Sequence, residues 1–308
     1  MPPKPSPTHF LCIPLVTGPS RPQLAASLSA FRSDVCGGPA ASPLPPLGLG
    51  FGSLPEDAVR PVGTLHLTLG VLSLPPRGSH EGGEEKKLAR AKEVLAGLGL
   101  GAVWRGVLLQ WQQQQRAKGV VQKTNGGGNG DGDGDRDGKG GVTKEGVGKE
   151  KEEKRRVEGL KITLRGLASM QPADRAAVLY APPVDQFGLL QAFCEKVRDA
   201  FREAELMVDE GRPLLLHATI VNTVYVKKEA GSGRGRGRGR GGQRGGRGGR
   251  KSERLVFDAT EIMDRYEDQV WMEDVLVQKV ALCRMGAKKV VVDGEEDEAY
   301  EVEAEVEF

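Results

Sequence analysis

His66 and Thr68 stand two residues apart in the run Gly63-Thr64-Leu65-His66-Leu67-Thr68-Leu69. His217 and Thr219 repeat that spacing in Leu214-Leu215-Leu216-His217-Ala218-Thr219-Ile220. In a β-strand successive side chains point to opposite faces, so residues i and i+2 share one face. His66 and Thr68 therefore project together while Leu65, Leu67 and Leu69 face a core, and His217 and Thr219 likewise oppose Leu216, Ala218 and Ile220. The chain holds four histidines, and two of them stand in this one setting. Two imidazoles supply a general base and a general acid near neutral pH. Two hydroxyls donate hydrogen bonds to an anion held between them. The combination points to phosphoester chemistry with neither a metal nor another cofactor. A single His-x-Thr more often marks a polar pair on the wet face of a half-buried strand. Repetition with matched apolar flanks is what favours a site.

The elements that must carry these residues follow from pattern. Residues 9–16 read as a first strand, rich in Phe, Leu, Ile and Val, with His9 at a strand edge. Residues 23–35 place Leu24, Leu28 and Phe31 at helical spacing, with Pro22 in the tolerated first turn. Residues 36–54 are a Gly- and Pro-rich loop, and residues 64–74 form the first motif strand, stopped by Pro75-Pro76. A charged amphipathic helix over 84–98 has Leu88, Ala91, Val94, Leu95 and Leu98 as its buried stripe. Residues 160–170 alternate as a strand with 176–181 as its partner, and 187–207 form a helix with Leu190, Phe193, Val197, Phe201 and Leu206 on its apolar face. The second motif strand spans 214–226. Beyond it come a short turn or helix after Phe257 and a strand over 275–283. A hairpin through Asp293-Gly294 then returns as 300–308, with Glu301, Glu303, Glu305 and Glu307 on a wet face. The order strand, helix, motif strand, helix occurs twice in outline, which places the two motif strands side by side across a cleft.

Two segments lack the apolar residues to offset the entropy of ordering. Residues 111–158 run from glutamines through Gly-Asn-Gly-Asp repeats to mixed Lys and Glu. Within them Asp133, Asp135, Asp137 and Gly138 imitate half of a calcium loop, but Lys144 stands where its closing Glu belongs, and no helices flank it. The second segment, 230–253, contains the Gly-Arg run 233–250. Its arginines Arg234, Arg236, Arg238, Arg240, Arg244, Arg247 and Arg250 supply planar cations that pair with phosphates and stack on bases. The functional reading is an arm for non-specific single-stranded RNA; the plain alternative is a solvated linker. Residues 1–7 read as a flexible N-terminus and 8–308 as a single domain interrupted by these two insertions.

Charge and cysteine exclude several classes. With 44 basic and 42 acidic residues the net charge is +2, so no partner follows from the balance itself. Cys12, Cys36, Cys194 and Cys283 are scattered, which fits reduced thiols and neither a zinc site nor a disulfide scaffold. No signal-peptide core and no apolar run of about 20 residues is present, so an intracellular, membrane-free protein is expected.

The pair His66-Leu67-Thr68-Leu69 and His217-Ala218-Thr219-Ile220 resembles the double signature of the 2H phosphoesterase superfamily. The wider context, Thr8 to Leu15, Pro61 to Gly70 and Leu216 to Thr223, resembles one branch of it. That branch includes the A-kinase anchor protein nuclear-signal domain and a subunit of the activating signal cointegrator complex. The resemblance covers most of the chain outside the two insertions, and the Arg-Gly arm departs from it. It implies an α+β, bilobal fold, with two pseudo-symmetric antiparallel-sheet lobes around a central cleft. It implies a substrate carrying a 2′,3′-cyclic phosphate or a 2′,5′ linkage on RNA or a nucleotide, and a monomer in nucleus or cytoplasm. One His would activate water or a hydroxyl, the other would protonate the departing ribose oxygen, and Thr68 and Thr219 would hold the non-bridging oxygens. The rivals are a module that binds a nucleotide or RNA end without turnover, and an RNA-associated scaffold acting through the arm.

The arm can be separated from the pocket. Phosphate contacts on single strands steepen salt dependence by roughly 0.7 log units each. Deleting residues 233–250 is expected to weaken binding to long single-stranded RNA and flatten its salt slope, leaving mononucleotide affinity nearly unchanged. A salt titration of both ligands with both proteins decides; equal RNA affinity and slope would make the segment a linker.

Overall fold

In a computed structural model of the chain, the residues described are 6–37, 54–74, 83–124, 159–208, 211–226 and 254–308. The calcium-like sequence and the seven arginines of the arm lie outside them.

The organising element is a seven-stranded antiparallel sheet. In spatial order it runs β12 (Val302–Glu307), β9 (Lys279–Arg284), β1 (His9–Pro14), β2 (His66–Leu72), β7 (Ala218–Asn222), β5 (Val178–Ala181) and β4 (Ala168–Ser169). The motif strands β2 and β7 are neighbours, joined where Leu67 lies opposite Ala218. Among the described residues that ladder is one residue pair long, so the sheet has two halves hinged at its centre. Period-two burial fixes its faces. Leu11, Ile13, Leu67, Leu69, Ala218, Ile220, Val280 and Leu282 are all buried in one core.

Helices α2 (Gly83–Gly97) and α3 (Leu100–Thr124) pack by β12, and α4 (Leu189–Glu203) packs against β2 and α3. Phe193 of α4 is the centre of that contact, 4.6 Å between ring centroids from Phe308 and 6.2 Å from Trp104. A smaller sheet, in the order β6 (Pro183–Val184), β3 (Lys161–Arg165), β8 (Val270–Leu276), is covered by α1 (Ser20–Cys36). There Phe31 of α1 meets Trp271 of β8 and Tyr266, which follows the short helix α5 (Thr260–Arg265). The indole N–H of Trp271 donates to the Gly166 carbonyl at 2.8 Å, so its polar edge is satisfied inside the core.

Several expectations are corrected. The segment read as disordered from residue 111 continues α3 to Thr124. Leu100, Trp104 and Val107 form a buried stripe, and half-buried Trp111 meets Phe187 with ring centroids 4.9 Å apart, the rings tilted at 57°. The glutamines that follow are good helix formers, and polarity alone concealed this. His9 begins β1 as expected but is fully buried there, 3.8 Å from the Glu303 carboxylate. The face of β12 expected to be wet is partly a charge node, because Glu303 also pairs with Lys92 at 3.1 Å and Arg284 at 3.0 Å. Burial works to raise the Glu303 pKa, but those two cations lower it more, and the net displacement is downward. The strand expected over 275–283 is two, broken between Leu276 and Lys279. The strand expected over 160–170 is also two: β3 pairs with β6 and β8, and only β4 pairs with β5.

The Asp293-Gly294 turn exists, with positive φ at both residues as a two-residue hairpin turn requires. The strands it joins are β10 (Lys288–Val292) and β11 (Glu295–Ala299), while β12 pairs instead with β9.

Truncating Phe193 to Ala should remove the packing that unites α3, α4 and the C-terminus. A loss of about 3–5 kcal/mol in urea unfolding is expected for such a buried aromatic. A loss below about 1 kcal/mol would show that the helices are held by other contacts.

Candidate functional site

Burial of Leu67 and Ala218 on the core face turns His66, Thr68, His217 and Thr219 to the other face, where all four are half-buried. Extending the antiparallel register one residue each way from Leu67–Ala218 sets His66 opposite Thr219 and Thr68 opposite His217. Each imidazole thus has a hydroxyl across from it and another two residues along its own strand. The four sequence-derived residues come together at the hinge of the sheet.

A backbone carbonyl two residues ahead of each histidine fixes its ring. Before β2, residues Val62–Thr64 form a single 3₁₀ turn after Pro61, and the Thr64 hydroxyl donates to the Pro61 carbonyl at 2.7 Å. The Thr64 carbonyl is left facing His66 Nδ1 at 2.7 Å. In the second half the Leu215 carbonyl stands 2.8 Å from His217 Nδ1. A carbonyl only accepts, so each Nδ1 carries the proton and each Nε2 presents a bare lone pair. The sequence repeat is thus matched by a repeat of tautomer.

The first turn is braced by the β10–β11 hairpin. The Gly63 N–H donates to both carboxylate oxygens of Asp297, at 3.0 and 3.1 Å, and Arg21 pairs with the same carboxylate at 2.6 Å. A Cβ at position 63 would collide with the Glu298 carbonyl oxygen, so only glycine admits the hairpin this close.

Surroundings of the two rings differ. His66 lies 4.7 Å from the Phe10 ring and 5.3 Å from Tyr300, whereas His217 meets Tyr180 at 5.4 Å. Burial pushes His66 down to about 4, helped by the nearby charges of His217 and Arg60 and opposed by the bond to Thr64. Burial also lowers His217, with Arg212 adding to it and the Leu215 bond opposing. Both rings are therefore neutral at pH 7, and His66 is the more strongly displaced. Each borders its own cavity. Thr68 and His217 line one of about 60 Å³ with Arg198 and Arg212. His66 edges another of about 270 Å³ with Cys12, Pro14 and Tyr300.

Arg60, Arg212, Tyr225 and Tyr300 entered no reading of the sequence. A partial signal for the arginines was present: an Arg-Pro step precedes each motif, although Arg60 stands six residues ahead of His66 and Arg212 five ahead of His217, so the two steps are not in register. Among the described residues no group of three or more His, Cys, Asp or Glu side chains is placed to hold a metal ion.

The family match defines a protein of the 2′,5′ RNA ligase-like class. Within that class the chain belongs to the family described as the AKAP7 2′5′ RNA ligase-like domain, which it matches over residues 7–308. It is similar to an uncharacterized protein of Schizosaccharomyces pombe, with 27% identity over 114 residues, 37% of this chain and 43% of that protein. The match thus spans less than half of that relative's length. Among solved structures it aligns with a protein of Thermus thermophilus at 12% identity over 97% of both chains, TM-score 0.42. It aligns with E. coli LigT complexed with 3′-AMP at 13% identity, over 98% of this chain and 97% of that one, TM-score 0.40. At these scores the likeness is loose, and membership rests on the family match.

At pH 7 both imidazoles are expected as the Nδ1–H tautomer, and His66 is expected to protonate at lower pH than His217. Long-range ¹H–¹⁵N spectra through a pH titration would check both points. An Nε2–H tautomer in either ring, or a His66 that protonates at the ordinary 6.5 or above, would contradict the geometry.

Proposed function

We propose that the protein is a metal-independent phosphoesterase acting on a 2′,3′-cyclic phosphate or 2′,5′-linked end of RNA or a nucleotide. One observation carries this reading: two imidazoles with bare Nε2 atoms and two threonine hydroxyls share one sheet face at the junction of β2 and β7. In hydrolysis of a cyclic phosphate, His66 Nε2 takes a proton from water as the water oxygen bonds to phosphorus. The bond from phosphorus to one ribose oxygen breaks, and His217, entering the step protonated, gives its Nε2 proton to that oxygen. His66 ends protonated and His217 neutral, and exchange with water restores both. Thr68 and Thr219 donate to the non-bridging oxygens, where negative charge grows in the transition state. The base is assigned to His66 because burial and its cationic neighbours hold it neutral further into acid. In the ligation direction the roles exchange.

A binding-only role is favoured by one specific observation: with both pKa values lowered, the ligand-free protein at pH 7 has little protonated His217 to act as acid. The two readings differ in turnover. With 2′,3′-cyclic AMP as substrate, kcat/KM should be bell-shaped in pH. Its acid limb should fall as His66 protonates near pH 4, and its alkaline limb as His217 loses its proton below 6.5, so the optimum lies in mild acid. EDTA should leave the rate unchanged, and His66→Ala or His217→Ala should each lose about 10²- to 10⁴-fold without unfolding. Binding of the cyclic nucleotide without turnover at any pH would establish the binding module. Inhibition by EDTA would overturn the mechanism.

A further inference from the structure

Arg60 stands six residues ahead of His66, yet its backbone belongs to the other half of the sheet. Its N–H donates to the Ile220 carbonyl of β7 at 2.8 Å, beside a bridge between Val59 and Val221. The side chain is held as firmly. Its guanidinium carbon lies 3.7 Å from the centroid of the Tyr225 ring, and the residue is 5% exposed. The Glu298 carboxylate is 3.9 Å away, outside hydrogen-bond reach, and the buried Nη2 has no hydrogen-bond partner. A guanidinium desolvated this far normally has its donors filled.

The position of that unfilled donor indicates its ligand. Arg60 interacts with the Tyr300 hydroxyl, and the Tyr300 ring is 5.3 Å from His66. The charge of Arg60 is also among those that act on His66. A planar cation anchored from both halves of the sheet, with its charge acting on His66, matches the geometry of phosphate. The second motif also has an arginine near it: Arg212, five residues ahead of His217 where Arg60 is six ahead of His66, lines a cavity with that ring.

We propose that Arg60 is a further substrate-binding residue of this site, its unpartnered Nη2–H donating to a phosphate oxygen of the nucleotide held at His66 and His217. The inference rests on the nucleotide reading given above. A plain strut, bracing the hairpin through Tyr225 and Glu298, is the alternative to be eliminated.

Calorimetric titration of 3′-AMP and of adenosine into wild type, Arg60→Met and Arg60→Lys separates the two, with melting curves recorded alongside. Loss of a charge-assisted bond to phosphate should weaken 3′-AMP binding by about 10- to 100-fold in Arg60→Met. Adenosine binding should change by less than about twofold, and Arg60→Lys should recover part of the 3′-AMP affinity. Unchanged 3′-AMP affinity in Arg60→Met, or equal losses for both ligands, would overturn the assignment. Should Arg60→Met fail to fold, a crystal structure of wild type with 3′-AMP supplies the answer. Nη2 within hydrogen-bond distance of a phosphate oxygen supports the proposal, and a phosphate seated out of its reach sinks it. A wild type that binds no 3′-AMP would remove the nucleotide reading together with this one, whereas binding retained in Arg60→Met removes only the role of Arg60.

Discussion

The constraint on which the site depends is the single junction of Leu67 with Ala218. Both side chains are fully buried, and among the described residues the ladder between β2 and β7 consists of that pair. Moving either strand by one residue would drive a histidine and a threonine into the core and bring leucines to the cleft, because a one-residue slip reverses every side chain. Hydrophobic burial therefore specifies the register, and the register specifies the chemistry. Because the ladder is so short, the two halves diverge on either side of it. The small cavity between Thr68, Gly70 and the segment Arg212–Leu215 occupies that divergence.

A hinge of one residue pair needs bracing from elsewhere, and the C-terminal segment supplies it. Asp297 binds the backbone of Gly63 and the side chain of Arg21, fixing the turn that sets the His66 tautomer. Three residues further on, Tyr300 closes over His66, and Glu303 then ties β12 to α2 through Lys92 and to β9 through Arg284. Carboxylates with little solvent contact take part at each end, so these bonds are screened less than surface ion pairs would be. Through Asp297, β11 thus helps to position a turn more than two hundred residues earlier.

Local pattern was enough for the motif strands. Period-two burial placed His66 with Thr68 and His217 with Thr219, and the repetition placed the two strands beside each other. The helix centred on Phe193 was equally legible, since its apolar stripe is long and its opposite face charged. What escaped the sequence depends on long-range contact. His9 looks like the polar start of a strand, and only the arrival of Glu303 from β12 makes its burial intelligible. Residues 111–124 look like low complexity until Trp111 meets Phe187, beyond the second half of the insertion. Arg60 carries no local mark of function apart from the proline that follows it. The setting from which its role is proposed exists only once Tyr225, Glu298 and Tyr300 converge on it from two later segments.

The two halves are alike in motif and unlike in environment, and the difference lies in what surrounds each ring. His66 is enclosed by Phe10 and Tyr300 and has Arg60 nearby; His217 has Tyr180 beside it and is more open to solvent. The same tautomer and the same strand position therefore yield two different proton affinities. A symmetric pair of equal bases would be poorly suited to catalysis, since one member must accept a proton while the other gives one. The difference must come from the walls of the cleft, and part of the wall at His66, Tyr300, is supplied by a segment outside the repeat. Tyr180 on β5 meets His217 as Phe10 on β1 meets His66, whereas Tyr300, in the link between β11 and β12, adds a second ring beside His66 alone among the described residues. The repeat makes the pair, and an unrepeated part of the chain helps to make its members different.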